Sequence, residues 1–281
     1  MQTILVTGGK GMIGSQLVSG LLDAGYRVVS VDRVGEEETQ ERFVHVKADL
    51  ADREALNGIM AAQRVDRVIH LAALAHTAGE KDLSWERYRH VNVTCAENVF
   101  EAAGDRPLLF ISTVDVYGFT KGLVDEHTEL RPVSEYGRSK KMAEESCRRI
   151  CSRYTVFRFS PVYTDTVKRD IQKRYYLKYP KLAYQIGKNT EYEILNIRRA
   201  VQAMVAWCAQ EPQGETRIIK DDVRMNTADY IRAEKAAGRA NVVLHLPAWM
   251  VHCGYAVLKA LTGENNYTYL LNKAVYPLRS R

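Results

Sequence analysis

No apolar run of 18 residues, the length of a membrane-crossing helix, occurs anywhere in this chain. The longest candidate, Leu244 to Leu261, is interrupted by His245, Pro247, His252 and Lys259, so no membrane span is expected. Cysteine is scarce, with five residues at positions 95, 147, 151, 208 and 253. Cys147 and Cys151 would share a helix face and do not form a C-x-x-C redox motif; all five are expected to be small core residues. The seven histidines show no metal-ligand spacing, so no metal is expected. Arg148-Arg149 and Arg198-Arg199 are too sparse for a nucleic-acid stripe. There is no internal repeat and no low-complexity linker. The chain enters a strand-like run at Thr3, which argues against a secretory leader and for a cytoplasmic protein. A net charge of +6 suits a doubly anionic diphosphate and equally an ordinary solvated surface. At 281 residues there is enough chain for one large α/β unit with a modest second lobe.

What is present begins at once. Thr3-Ile4-Leu5-Val6 reads as a buried parallel strand, followed by Thr7-Gly8-Gly9-Lys10-Gly11-Met12-Ile13-Gly14. Gly8 allows a tight turn, Gly11 lets a pyrophosphate approach the backbone, and Gly14 lets the next helix pack on the sheet. That helix should run from Met12 to about Ala24, its first turn at Met12 and Ile13 offering open N–H groups and partial positive charge to a phosphate. The strand Arg27 to Asp32 ends in an acid 21 residues after Gly11, where a carboxylate would accept hydrogen bonds from an adenosine ribose. The unit predicts a dinucleotide. Asp32 favours NAD, while the neighbouring Arg33 could bind a 2′-phosphate and permit NADP.

A second motif lies about 120 residues downstream. Tyr136 and Lys140, in Tyr136-Gly137-Arg138-Ser139-Lys140, are four residues apart and would share a helix face. An ammonium beside the phenol favours the ionised form, so a group with a pKa of roughly 10 can exchange a proton with a sugar or alcohol hydroxyl near neutrality.

With these motifs the chain resembles the extended short-chain dehydrogenase/reductases, the NAD-dependent epimerase/dehydratase family that acts mostly on nucleotide sugars. Ala48-Asp49-Leu50 is similar to the family segment beside adenine, and His70-Leu71-Ala72-Ala73 to the strand end that runs along the cofactor. Asn92 matches the family's helix asparagine, and Ile111-Ser112-Thr113-Val114-Asp115-Val116-Tyr117-Gly118 its strand with a hydroxyl residue before Val-Tyr-Gly. The resemblance implies that Gly8, Gly11, Met12, Ile13, Gly14, Asp32, Arg33, Asp49, Leu50, Leu71, Ala72, Ala73, Asn92, Tyr136 and Lys140 hold the cofactor. It further implies that Thr113 binds the reacting oxygen, that Tyr136 is the acid/base, and that Lys140 is its electrostatic partner.

Other positions depart from the family. Dehydratases and decarboxylases of the family commonly carry glutamate, with aspartate before it in one dehydratase branch, where this chain has Asp115 and Val114; this argues against a 4,6-dehydratase of that branch and leaves Asp115 to bind a sugar hydroxyl. The arginine that commonly contacts the diphosphate aligns with Tyr192, so Arg198 or Lys188 is expected to supply that contact, with Arg198 favoured. The chain ends at Arg281, where many relatives continue into a Leu-Gly-Trp-Pro segment, and both departures weigh against a nucleotide sugar specifically.

The expected architecture is a Rossmann doubly wound parallel sheet with a smaller C-terminal substrate lobe. Residues 1–162, joined by about 195–222, form the dinucleotide-binding domain, and 163–194 with 223–281 the substrate lobe. Strands are predicted near 2–7, 27–32, 42–47, 66–71, 107–113 and 154–159, and helices near 12–24, 52–63, 84–103 and 136–152. Three functions follow: a nucleotide-sugar 4-epimerase working through a 4-keto sugar; a reductase of a 4-keto sugar or other carbonyl; and a non-catalytic nucleotide sensor. The first is preferred, as a homodimer.

Overall fold

Two compact units are built from alternating stretches of chain in this computed structural model, which describes residues 1–75, 83–167, 169–177, 182–188 and 190–281. The first unit comprises Met1–Val116, Glu135–Phe159 and Ile197–Ile219. The second comprises Tyr117–Ser134, Ser160–Asn196 and Lys220–Arg281.

Among the described residues the first unit has one sheet of eight strands: β1 (Thr3–Thr7), β2 (Arg27–Asp32), β3 (Glu38–Thr39), β4 (Phe43–Lys47), β5 (Arg67–His70), β6 (Leu108–Thr113), β7 (Tyr154–Phe159) and β8 (Glu215–Ile219). Their spatial order is β8-β7-β6-β5-β1-β2-β4-β3, parallel throughout except for the β3 edge. Helices α1 (Met12–Asp23), α2 (Arg53–Ala62), α3 (Trp85–Arg89), α4 (Cys95–Ala103), α5 (Glu135–Ile150) and α6 (Ile197–Trp207) cover it. Helix α1 packs on α6, and α2 and α5 each pack on α4. The strands form because their aliphatic runs are shielded on both faces: Ile4, Leu5, Val28, Val29, Val68 and Ile69 are wholly buried.

Strand order reverses between β5 and β1, and the ends of β1, β2, β5 and β6 bear Thr7, Asp32, His70 and Thr113. A ligand crevice belongs at such a reversal, outside the carboxyl ends of parallel strands.

Three features depart from expectation. The helix expected over 84–103 is interrupted by a π-turn, His90–Thr94, whose wider coil turns Asn92 inward. Strand β8 lies in a stretch with no clean alternation, half-buried along its whole length at the sheet edge. Cys253 is exposed, in contrast to the four buried cysteines, because it lies on the outer side of a surface helix.

The second unit contains helices α7 (Thr227–Ala236), α8 (Ala248–Thr262) and α9 (Asn266–Val275). Short strand pairs support them, Leu182–Ile186 with Val242–Leu246 being the longest. Its core gathers Ile171, Tyr175, Ala183, Ile194, Met225, Ile231 and Ala240. Buried Glu193 accepts hydrogen bonds from Lys220 Nζ at 3.0 Å and from the Ser280 N–H at 2.9 Å, fixing the chain end. Of the basic, tyrosine-rich stretch 163–184, residues 168 and 178–181 lie outside the described residues.

Candidate active site

The glycine-rich turn is shaped by close backbone approach. Gly8 has φ +73°, and a Cβ there would lie 2.9 Å from the Ala72 backbone. A Cβ on Gly14 would lie 2.1 Å from the Gly8 carbonyl oxygen, so only glycine lets α1 start this close to the β1 turn. Gly11 is the N-cap of α1 and donates no side chain to it, leaving the first turn, Met12-Ile13-Gly14, without a side-chain cap. The cradle is therefore made of backbone.

Beside it, Asp32 at the end of β2 accepts from the Arg33 N–H at 2.7 Å and the Lys10 N–H at 3.2 Å. These contacts hold the carboxylate at the mouth of a cleft of about 300 Å³. Gly8, Gly11, Asp32, Arg33, Asp49, Leu50, Leu71, Ala72 and Ala73 all line this cleft. Asp49 also accepts the Ala51 N–H at 2.9 Å, an Asx turn that sets the Asp49-Leu50 segment. Leu74, Arg87, His90, Val91 and Cys95 line it too and were not anticipated. Arg87, His90, Val91 and Cys95 are signalled by proximity to Asn92 along one helical stretch, and Leu74 by following Leu71-Ala72-Ala73 directly.

Asn92 itself does not line the cleft. Its Oδ1 accepts the Leu74 N–H at 2.6 Å, and its Nδ2 donates to the Leu74 carbonyl at 3.0 Å and to Ser139 Oγ at 2.9 Å. It ties the segment after β5 to α5, the helix that carries Tyr136 and Lys140.

Tyr136 is half-buried, whereas Lys140 is 2% exposed with its Nζ 4.0 Å from the Phe110 ring centroid. Burial pushes the Lys140 ammonium down to about 7, outweighing the opposing pull of Glu144 and Cys147. His70 stacks on the same Phe110 ring at 5.8 Å, and its Nδ1 lies 2.7 Å from Thr7 Oγ1. Burial, reinforced by the Lys140 charge, pushes His70 down to about 3, so it is neutral near pH 7.

Glu144, one turn beyond Lys140, is buried and accepts from Ser112 Oγ at 2.6 Å, Arg158 Nε at 3.1 Å and Arg148 at 2.9 Å. Burial pushes its carboxyl up, but the Arg158 guanidinium together with Ser112 and Arg148 overcomes this and holds it below the usual carboxylate range. The Glu144–Ser112 contact fastens α5 to the end of β6, where Thr113 follows. Thr113 Oγ1 accepts the Asp115 N–H at 3.2 Å as the chain turns into the 3-10 segment Val114–Tyr117.

The residues expected to touch a diphosphate belong to different units. Arg198 is exposed at the start of α6 and is not among the cleft-lining residues, and Lys188 is exposed in the second unit. Tyr192 is buried with the Arg174 guanidinium 4.9 Å above its ring, so the position aligned with the family arginine has a cation stacked on it. Among the described residues, no three His, Cys, Asp or Glu side chains stand together as a metal site.

A family model described as NAD dependent epimerase/dehydratase matches residues 4–220. UDP-glucose 4-epimerase 4 of Oryza sativa subsp. japonica is 35% identical over 167 residues, covering 53% of this chain and 45% of that protein. UDP-glucose 4-epimerase of Drosophila melanogaster is 32% identical over 170 residues, covering 53% and 48%. The chain thus spans about half the length of the curated relatives it matches. Among solved structures, UDP-glucuronic acid 4-epimerase from Bacillus cereus in complex with NAD superposes with TM-score 0.70 at 25% identity, covering 88% of this chain and 87% of that one.

Proposed function

The chain belongs to the NAD-dependent epimerase/dehydratase family, and from that premise we propose that it is a nucleotide-sugar 4-epimerase using NAD. The observation that carries this reading is the assembly within one unit of a backbone-built dinucleotide cradle, Asp32 at its mouth, and Tyr136 and Lys140 on a helix tied to the Thr113 strand end. The similarity to UDP-sugar 4-epimerases supports the reaction type.

In this proposal the α1 first turn at Met12, Ile13 and Gly14 binds the pyrophosphate, and Asp32 accepts from the adenosine ribose. Leu71, Ala72 and Ala73 line the path, and Asn92 holds that path against α5. The bound dinucleotide supplies the hydride acceptor and donor for the sugar C4. Tyr136 takes the proton from the 4-hydroxyl and later returns it, a transfer typically worth about 10²–10⁴ in rate. The Lys140 ammonium favours the phenolate, and Thr113 Oγ1 binds the same sugar oxygen. Rotation of the 4-keto sugar between the two transfers inverts C4. Asp115 binds a sugar hydroxyl and Arg198 the diphosphate. A homodimer working in the cytoplasm completes the proposal.

Arg33 favours a second reading. It lines the cleft beside Asp32 and could meet a 2′-phosphate, as a reductase with exchangeable NADPH would require. Cofactor content separates the two. The epimerase reading expects NAD to be released when the purified protein is denatured, tighter binding of NAD(H) than NADP(H), and a narrowed gap in Asp32→Ala. Protein that purifies empty and binds NADP(H) more tightly would establish the reductase instead.

A further inference from the structure

Helix α8 is apolar on its outer side as well as its inner one. In a surface helix the apolar stripe faces the protein and the charges face water. Here the inward side holds Tyr255, the helix's one buried residue, with Val251 and Leu258 half-buried beside it, and the one charged residue, Lys259, stands at the edge of that side with its side chain 38% exposed. The Lys259 ammonium sits 4.9 Å over the Phe119 ring and pairs with Glu264 at 2.8 Å. The opposite side carries Trp249, Cys253, Val257 and Leu261 at four-residue intervals, flanked by Met250, with no charge among them. Trp249 is 68% exposed and Leu261 79%. On the adjoining α9, Tyr267 and Leu270 are also exposed. A contiguous apolar face of this kind marks an interaction surface rather than scattered exposed residues.

Two observations select the occupant. The first is length: 15 residues of helix extend about 22 Å, short of the roughly 30 Å of a hydrocarbon core, so α8 can lie on a bilayer but not cross it. The second is charge. Residues 223–281 hold eight Lys or Arg against three Asp or Glu, a net +5 out of +6 for the whole chain. Each of the three acids is already paired within the segment: Asp229 with Arg232, Glu234 with Arg239, and Glu264 with Lys259. An uncharged outer face bearing tryptophan and tyrosine, set in a segment of excess positive charge, matches the boundary of an anionic bilayer. We infer that the α8–α9 hairpin docks the protein on an anionic lipid surface, with Trp249, Val257 and Leu261 entering the headgroup boundary.

The test is co-sedimentation of the full chain with vesicles of phosphatidylcholine alone and of phosphatidylcholine with phosphatidylglycerol. The wild type should bind the phosphatidylglycerol vesicles, more weakly at high salt, and at least tenfold more tightly than the neutral ones. Val257→Glu with Leu261→Glu should weaken that binding at least tenfold while leaving the circular dichroism melt unchanged, because both positions are exposed; Val34→Glu, exposed in the other unit, should bind as wild type. Should the double variant not fold, quenching of Trp249 by brominated lipid, absent in Trp249→Phe, reads the same contact. Wild-type protein that stays in the supernatant with phosphatidylglycerol vesicles overturns the inference. So does binding unaffected by the charges, or an oligomer that the double variant dissociates without any vesicle binding, which would assign the face to a second copy.

Discussion

Lys140 shows how the site works against stability. An ammonium pushed down to about 7 by burial is costly to hold in the fold, and the cofactor-free protein bears that cost. The unfolded chain keeps the proton up to its ordinary value, so the penalty is complete below pH 7 and is relieved as pH rises from about 7 toward 10.5. Lys140→Met, which preserves the stem and removes the charge, should therefore raise the melting temperature of cofactor-free protein at pH 6. The gain, on the order of a few kcal/mol, should shrink by pH 10, while the proposed role of Lys140 as partner of Tyr136 predicts that turnover falls. Thermal melts across that range check it; a lower melting temperature for the variant at pH 6 would mean that Lys140 stabilises the fold. The four-residue spacing of Tyr136 and Lys140 made their shared helix face legible in the sequence. The depth of Lys140 was not, because it depends on Phe110 and His70 arriving from two other strands.

At the scale of elements, α5 and β6 are bound through Glu144. Glu144→Gln keeps the shape and removes the charge that answers Arg158, itself 2% exposed. Leaving a buried guanidinium uncompensated costs about 3–5 kcal/mol, so the variant should melt well below wild type. In the wild type this carboxylate's contribution is complete above the ordinary carboxylate range and is lost as pH falls through its lowered folded-state value. Melts from pH 3 to pH 7 should thus converge for the two proteins in acid, and parallel curves would disprove the ion pair's role. Glycine placement and β-branched runs disclosed β1, α1 and β2 because each is determined by nearby residues. The π-turn around Asn92 was hidden because it answers a partner 18 residues away, the Leu74 backbone. Likewise β8 joins the sheet only through β7, and its half-buried residues lack the hydrophobic alternation that would announce a strand.

For the whole molecule, the chemistry-bearing unit was the legible one, since its motifs are short and local. The second unit is assembled from two- to five-residue strand pairs between distant segments, such as Arg279–Ser280 with Leu123–Val124, and such pairs leave little periodic pattern in a sequence. Its outward-facing apolar helix shows the same limit: the pattern of α8 is helical, but which face is buried follows from the partners of Tyr255 and Lys259. The central claim, that the assembled site inverts a sugar at C4, is tested most directly by incubating the purified protein with a panel of UDP-sugars, adding no cofactor, and following the products by proton NMR. The account predicts that at least one member is converted to an equilibrium mixture with its C4 epimer, and that Tyr136→Phe loses this conversion while retaining cofactor. No epimer from any UDP-sugar, alongside stoichiometric NAD(P)H consumption with a 4-keto sugar, would contradict it.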